Sequence, residues 1–308
     1  MFNHYSVMLN ESIEQLNIKP DGIYVDMTLG GAGHSKAIMD KLDQGQLICF
    51  DQDIVAINNA KKAFKDNDNV SLVHNNFSSY KESLNQLGID KVDGVIFDLG
   101  VSSVQFDTQE RGFSYRFDAR LDMRMNQEAS LSAFEVVNEY EFKDLHYILA
   151  RYGEEKFAKQ IARNIEKERS IKPIETTFEL VEIIKKSMPQ AALKKKGHPA
   201  KKTFQAIRIE VNKELDVFEK SLHDAIESLN VGGRVVVITF HSLEDRMAKK
   251  IFKEYSTSNV PKGMPIVEGV NDVNYKMINS KVILPSDEEL DENRRSKSSK
   301  LRVIEKIK

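Results

Sequence analysis

A run of glycines between an acidic residue and a predicted helix is the feature of this sequence best suited to binding a ligand. The apolar stretch Tyr24–Met27 predicts a strand that contains Asp26, and a helix is predicted from Ser35 to about Leu42. The loop between them contains Gly30, Gly31, Ala32, Gly33 and His34. Glycines let a backbone turn sharply and approach a ligand, and the helix start offers free N–H groups. This order favours a nucleotide-cofactor site over an ordinary tight turn.

Carboxylates lie at the ends of three predicted strands. Asp51 ends the strand Leu47–Asp51, where a carboxylate commonly holds a ribose diol, and Asp98 ends the strand Gly94–Asp98. The carboxyl ends of parallel strands meet at one sheet edge, so Asp26, Asp51 and Asp98 are expected to converge. Three carboxylates are a conceivable Mg²⁺ site. We expect no metal, because the ribose already explains Asp51 and the sequence has no histidine–cysteine ligand spacing.

A histidine follows the longest predicted strand. Arg234–Phe240 is predicted to be a buried strand and leads directly into His241. The sequence argues against a hydrolase triad, because there is no Gly-x-Ser-x-Gly elbow and neighbouring residues rarely face one another in triad geometry. We expect Ser242 to cap the next helix and Asp245 and Arg246 to make surface or lid contacts. His241 is interpreted as a structural or substrate-positioning residue.

Two basic clusters contrast with a formal net charge of −2. The first contains Lys194, Lys195, Lys196, Lys201 and Lys202, and the second, behind an acidic run, contains Arg294 and Arg295. A run of charges is usually a solvated face. Lys and Arg contacts to phosphate dominate nucleic-acid affinity, so these residues are also candidate RNA contacts.

Aromatic and polar residues alternate in the segment Arg111–Asp118. Phe113, Tyr115 and Phe117 are separated by polar side chains. Such rings either stack on an extruded base or anchor a surface turn in the core, and the sequence leaves both open. Arg111 and Phe113 are the candidate RNA contacts of this segment.

The composition indicates a globular protein with one large domain or two ordinary ones. Its 308 residues are 41% hydrophobic and 30% charged. The single cysteine, Cys49, cannot form an internal disulfide, which favours a reducing cytoplasm. No apolar run reaches the roughly twenty residues that span a bilayer, so no membrane association is expected.

Strands and helices alternate through the first hundred residues, and then the alternation stops. The other predicted elements are a strand at Val70–His74, helices at Ile54–Phe64 and Phe77–Leu87, helices throughout Ser130–Pro189, and one long helix over Phe204–Leu229. This pattern predicts an α/β fold with a doubly wound, mostly parallel sheet and an inserted all-helical domain. The expected boundaries are 1–112 and 203–308 for the sheet domain and 113–202 for the insertion.

Ordered segments over essentially the whole chain share one family pattern. They are His4–Glu11, Gly30–His34, Asp98–Ser103, Glu110–Ser114, Leu121–Met125, Tyr152–Phe157, His198–Ala200, Thr203–Asn212 and Phe240–Arg246. Together they closely resemble the bacterial 16S rRNA (cytosine-N4)-methyltransferase family, known as MraW or RsmH. Val104, Phe106 and Asn126 depart from the pattern, which has proline, leucine and aspartate at these positions.

The resemblance implies a Rossmann-like, class I S-adenosylmethionine-dependent methyltransferase whose helical insertion recognises the substrate. The implied acceptor is the exocyclic N4 of a decoding-centre cytosine, cytosine 1402 of 16S rRNA in the small ribosomal subunit. With the glycine loop included, the expected cofactor contacts are Gly30, Gly31, Ala32, Gly33, His34, Asp51, Phe77, Asp98 and Gln105. A homodimer stays open.

The implied reaction is an in-line attack of the cytosine amino nitrogen on the sulfonium methyl group. Asp98 is the candidate catalytic residue, which accepts a hydrogen bond from the amino group or from the cofactor and orients it without needing a shifted pKa. One alternative is a non-enzymatic RNA-binding ribosome-assembly factor with the same fold. Another is an NAD-dependent oxidoreductase. Against the oxidoreductase, the third glycine comes too early for Gly-x-Gly-x-x-Gly and no proton-relay pair is evident.

Overall fold

The computed structural model describes residues 6–258, 273–293 and 295–308. The chain divides into two compact units, which we call the sheet unit (the described residues of 1–100 and 216–308) and the helical unit (101–215). The sequence predicted an insertion at 113–202. The helical unit is longer at both ends, since it starts at residue 101 and ends at residue 215. The physical reason is packing, because Phe106 lies against the helical core and Phe204, Ile207 and Val211 belong to it.

The elements are numbered in chain order. The sheet unit begins with α1 (Leu9–Leu16), β1 (Ile23–Asp26), α2 (Gly33–Met39), β2 (Gln46–Asp51), α3 (Ile54–Ala63), β3 (Val70–His74), α4 (Tyr80–Gln86) and β4 (Val92–Asp98). The helical unit contains α5 (Ser103–Asp107), α6 (Ala133–Glu139), α7 (Phe142–Arg151), α8 (Ala158–Arg169), α9 (Thr177–Lys186), α10 (Gln190–Leu193) and α11 (Lys201–Asn212). The chain continues with α12 (Glu214–Glu227), β5 (Leu229–Thr239), α13 (Ser242–Ser256), β6 (Tyr275–Met277), α14 (Asp287–Glu292) and β7 (Lys300–Lys306).

The described strands form one seven-stranded sheet in the order β3-β2-β1-β4-β5-β7-β6. Strands β1 to β5 pair in parallel, whereas β7 lies between β5 and β6 and runs antiparallel to both. The predicted Rossmann-like α/β fold is confirmed. The strand order reverses between β1 and β4, which is where such sheets bind ligands at their carboxyl ends.

Successive residues of the central strands pack into different cores, because side chains alternate between the two faces of a sheet. Val25, Phe50 and Phe97 belong to one buried cluster. Tyr24 and Cys49 belong to the other, and Cys49 is fully buried as a small core residue. Both faces are therefore covered, as expected for parallel strands.

The helical unit has its own apolar core, and two of its helices start where the sequence predicts. Ser132 and Glu135 form a capping box at α6, and Thr176 and Glu179 form one at α9. The single long helix predicted over Phe204–Leu229 is wrong. Lys213 has a φ of 50°, a left-handed conformation that separates α11 from α12. Among the described residues, no helix is both long and apolar enough to cross a membrane.

Candidate functional site

The glycine loop is fastened at both ends by Asp26, the last residue of β1. Its Oδ1 accepts the Thr28 N–H at 3.0 Å, and its Oδ2 accepts the Ser35 hydroxyl at 2.6 Å. Asp26 is 1% exposed, so these bonds form away from water and hold strongly. The loop is thereby fixed between the end of β1 and the first turn of α2.

Two residues of the loop have left-handed backbone conformations. Gly30 has a φ of 48° and Ala32, which precedes α2, has a φ of 63°. The Gly30 N–H donates to Asp51 Oδ2 at 2.9 Å, and the Asp53 N–H donates to Oδ1 at 2.8 Å. Asp51 therefore faces the glycine loop, as its predicted cofactor role requires. Burial raises the pKa of the Asp51 carboxyl to about 6 despite these two hydrogen bonds.

The segment Ser6–Met8 lies against the loop from the N-terminal side. A methyl group on Gly33 would lie 1.8 Å from Ser6 Oγ, so a side chain at this position would displace the Ser6 hydroxyl from the loop. His34 Nε2 lies 3.1 Å from the Val7 carbonyl oxygen. The Met8 N–H donates to both carboxylate oxygens of Glu289, at 2.9 and 3.1 Å.

Asp98 ends β4 and is the most perturbed carboxylate at this sheet edge. Its N–H donates to Thr28 Oγ1 at 2.7 Å, and its Oδ2 lies 3.6 Å from His34 Nδ1. Its Oδ1 is buried and has no hydrogen-bond partner among the described residues. An unsatisfied buried acceptor costs stability and so points to a ligand group.

The pKa of Asp98 is raised well above its ordinary value. Burial is the first cause, and the carboxylates of Asp26, Glu244 and Glu289 add to it. The sequence interpretation assumed a role without a shifted pKa, so the structure corrects that point. Perturbed carboxylates in a sheet-edge site are typical of functional residues.

Phe77 and Gln105 were also predicted to contact the cofactor. Phe77 is half-buried, and its ring meets the Phe97 ring edge-on at 5.8 Å. Gln105 belongs to the helical unit, where its side chain accepts the Ser102 N–H at 3.2 Å and completes the capping box of α5. The cofactor contact of each residue stays a prediction.

His241 caps α13, so the expectation that Ser242 caps this helix is wrong. His241 Nδ1 accepts the Glu244 N–H at 3.4 Å, and Glu244 Oε2 accepts the Phe240 N–H at 2.8 Å. His241 Nε2 lies 3.0 Å from Glu244 Oε1. Asp245 is also buried rather than at the surface, which further corrects the sequence interpretation. A substrate contact by His241 stays a prediction.

The structure corrects the assignment of Arg111 and Phe113 as RNA contacts. Arg111 is 7% exposed, and its Nη2 donates to the carbonyls of Arg124 and Met125 at 2.9 and 3.0 Å. Phe113 is 5% exposed and belongs to the helical core. Both side chains hold the loop together, so the core-anchoring alternative applies to them.

The predicted lysine contacts are exposed in the structure, and their role in RNA binding stays a prediction. Lys194, Lys195, Lys196, Lys201 and Lys202 are all exposed. Lys202 Nζ also donates to the Glu154 carbonyl at 2.8 Å. In the second cluster, Arg295 is exposed and Arg294 lies outside the described residues. The described residues of both clusters are therefore exposed, unlike Arg111.

Three residues of the site were missed by sequence reasoning: Thr28, Glu244 and Glu289. Thr28 follows Asp26 at a spacing that predicts a turn hydrogen bond, and this signal was available. Glu244 stands three residues after its cap, which is the spacing of a capping box. Glu289 is remote in sequence, and nothing local places it near Met8.

The arrangement at the ends of β1, β2 and β4 is therefore acidic and rigid. Asp26 and Asp51 hold backbone N–H groups, whereas Asp98 Oδ1 has no partner within residues 6–258, 273–293 and 295–308. Such a site stabilises a ligand that carries positive charge or donates hydrogen bonds.

Known proteins resemble this chain over nearly its whole length. A model of the MraW methylase family matches residues 1–307. The ribosomal RNA small subunit methyltransferase H of Exiguobacterium sibiricum is 57% identical over 310 residues, covering 100% of this chain and 99% of that relative. An rRNA methylase from Streptococcus thermophilus, known from a crystal structure, aligns with a TM-score of 0.44 and 10% identity, over 97% of this chain and 94% of that one.

Proposed function

The chain belongs to the MraW methylase family, and from this premise we propose that it methylates RNA of the small ribosomal subunit. S-adenosylmethionine is its cofactor. The relative from Exiguobacterium sibiricum is named for small-subunit rRNA methylation. Our finer proposal is that the acceptor is the exocyclic N4 of cytosine 1402 in 16S rRNA.

The observation that carries the proposal is the unpartnered oxygen of Asp98. It lies at the end of β4, beside the point where the strand order reverses, and burial together with three neighbouring carboxylates raises the pKa of Asp98. A cytosine amino group donates hydrogen bonds, and a sulfonium carries positive charge. Either would supply what this carboxylate lacks.

The residues present fit S-adenosylmethionine. The Gly30–His34 loop and Asp51, whose carboxylate faces that loop, would hold the nucleoside part, with Phe77 beside the sheet edge. The acidic set around Asp98 would favour the cationic end. When bound, the cofactor supplies an electrophilic methyl group on a positively charged sulfur.

The main contribution of the protein is to position the reacting groups. The amino nitrogen of cytosine is a weak nucleophile, because its lone pair is delocalised into the ring. Holding it in line contributes on the order of 7–11 kcal/mol, whereas a general base typically contributes about 10²–10⁴-fold. Asp98 Oδ1 would accept a hydrogen bond from the amino group. Because its pKa is raised, the same oxygen can take the proton that this group loses.

Labelled-methyl transfer tests the proposal directly. Purified small subunits that lack the modification are incubated with the protein and labelled S-adenosylmethionine, and the RNA is digested to nucleosides. We expect label in N4-methylcytidine from a single position. No transfer, with intact S-adenosylmethionine binding by calorimetry, would instead support an assembly factor. Binding of NAD in place of S-adenosylmethionine would support an oxidoreductase.

The exposed lysines of the helical unit are proposed to bind the phosphates of the RNA. Replacing Lys194, Lys195 and Lys196 with glutamate should weaken binding of single-stranded RNA, and should reduce the dependence of affinity on salt by roughly 0.7 in logarithmic slope per lost phosphate contact. The matched control replaces Lys61, Lys62 and Lys65, which are exposed lysines of the sheet unit. Equal affinity of the first variant and the parent at every salt concentration would remove these lysines from the interface.

A further inference from the structure

Two aromatic rings stack face to face at the surface of the helical unit. The ring centroids of Tyr115 and His198 lie 4.2 Å apart, and the rings are within 8° of parallel. Phe204 meets Tyr115 edge-on at 5.7 Å and ties the pair to the helical core. Both stacked rings are half-buried, so the pair is anchored on one side and reaches solvent on the other.

His198 is held in one orientation and keeps a donor to spare. Its Nδ1 accepts the Ala200 N–H at 3.2 Å, so in the neutral ring the proton is on Nε2. In the described part of the chain, no second aromatic ring stacks on the other face of His198. Within the described residues, the Nε2–H has no hydrogen-bond partner, and the half-buried ring keeps part of its surface in contact with solvent.

Positive charge surrounds this pair. Burial lowers the pKa of His198, and the charges of Lys185 and Arg116 lower it further, so the ring is neutral at physiological pH. Arg116 is exposed, as are the lysines at 194–196, which precede His198 by a short turn. Lys185 pairs with Glu182 at 2.7 Å and is partly neutralised. A flat neutral ring framed by cations is what a single-stranded nucleic acid requires, since bases stack on rings and phosphates bind cations.

We propose that Tyr115 and His198 form a stacking platform for one base of the RNA substrate. This inference rests on the proposed function and adds to it the residues that hold a base outside the reacting cytosine. Two of the alternating aromatic residues therefore have different roles. Phe113 is buried in the core, whereas Tyr115 supports the platform.

Binding of a short fluorescein-labelled single-stranded RNA with one central cytosine tests the platform. We expect His198→Ala to weaken binding roughly 5-fold to 100-fold, the range for losing one base–aromatic stack, and His198→Phe to retain most of the affinity. The matched control is His146→Ala, because His146 also stacks on an aromatic ring of the helical unit, Phe142, at 6.0 Å and 11°. That substitution should leave RNA affinity unchanged.

A second RNA separates base stacking from a merely structural role. It keeps the central cytosine and is abasic at every other position. The parent should bind it more weakly, and His198→Ala should bind it as well as the parent does. The platform is overturned if His198→Ala matches the parent on the intact RNA, or if it weakens binding to both RNAs equally. Thermal unfolding and the His198→Phe variant show whether a loss reflects misfolding.

Methyl transfer distinguishes failure of the platform from failure of the proposed function. If the parent transfers no methyl group to small subunits, the proposed function fails, and the platform is judged by RNA affinity alone. If the parent is active, His198→Ala should raise KM for the RNA and leave kcat near that of the parent, as expected when an interaction common to ground and transition states is lost.

Discussion

Asp98 and Asp245 are two carboxylates of the sheet unit with opposite surroundings. Asp245 accepts hydrogen bonds from Arg302 Nε at 2.8 Å and from Lys300 Nζ at 2.9 Å, both on β7. Burial would raise its pKa, but the bonds to Arg302 and Lys300 outweigh burial and lower it. The charged neighbours that shift the pKa of Asp98 are carboxylates, its Oδ2 lies 3.6 Å from His34 Nδ1, and its Oδ1 has no partner in the described part of the chain.

The difference indicates that Asp245 stabilises the fold, whereas Asp98 is suited to binding a ligand. A buried charge costs several kcal/mol unless partners compensate for it, so Asp245 is retained at little cost and Asp98 at a considerable one. Such uncompensated groups cluster at binding and catalytic sites. The following experiments therefore expect opposite results at Asp98 and Asp245, and the smallest effect at Asp51.

The largest expected effect is on methyl transfer by Asp98→Asn. The asparagine keeps the size of the side chain but cannot take a proton, so the rate should fall about 10²–10⁴-fold. The unligated variant should be at least as stable as the parent, because a buried carboxylate without a compensating cation is removed. Rates with labelled S-adenosylmethionine and urea unfolding measure the two quantities. Asp90→Asn, at an exposed position of the same unit, is the control. Unchanged turnover and cofactor affinity would contradict the assignment.

Arg302→Met should have the reverse effect: it should lower stability and leave cofactor binding unchanged. Removing the cation leaves Asp245 buried with only Lys300, and the free energy of unfolding should fall by about 3 kcal/mol, the lower end for a broken buried ion pair. Lys300 is partly exposed and moderates the loss. Affinity for S-adenosylmethionine, measured by calorimetry below the unfolding temperature, should stay near that of the parent. A stability unchanged within error would show that the pair does not hold β7 to α13.

In the unligated protein, pH should change the stability contributions of the two carboxylates in opposite directions, because Asp98, with its raised folded pKa, destabilises the fold as pH rises toward that pKa. Because the folded pKa of Asp98 is raised, a cationic ligand binds better as pH rises toward that pKa, by at most about tenfold per pH unit, and a proton is released. Because the folded pKa of Asp245 is lowered, its contribution to stability is lost as pH falls through that value. Calorimetry in buffers of different ionisation enthalpy detects the proton. Cofactor binding without proton release would separate Asp98 from the cationic end.

Asp51 lies between these extremes and should give the smallest effect. Its pKa rises to about 6 on folding, so the folded state loses stability as pH increases from roughly 4 to 6. Asp51→Asn should remove this loss and stabilise the protein at neutral pH by about 1 kcal/mol, since the amide still accepts from Gly30 but not from Asp53. Urea unfolding across this pH range measures it. A variant with the same pH profile as the parent would contradict the shifted pKa.

Most of the sheet unit could be predicted from the sequence, because parallel strands that are covered on both faces consist of continuous apolar residues. The runs around Val25, Phe50 and Phe97 match β1, β2 and β4 closely. The break at Lys213 was invisible, because apolar residues continue at helical spacing across it and only the backbone conformation interrupts the helix. Strand β7 was missed because it pairs only with strands distant from it in sequence.

The site was predictable in its parts but not in its electrostatics. Asp51 and the glycine loop follow from a local order of elements. The raised pKa of Asp98 depends on Glu244 and Glu289, which fold toward it from remote segments. Burial was equally inaccessible, because Arg111 and Lys194 have the same charge in sequence and only packing shows that the first is enclosed.

The central position of β7 has a consequence for biosynthesis. Strand β7 is synthesised after β6 yet lies between β5 and β6. Until β7 has been synthesised, β5 therefore has an open edge and Asp245 lacks both of its cations. The sheet closes only when residues 300–306 enter between β5 and β6, and the same step compensates the buried charge of Asp245.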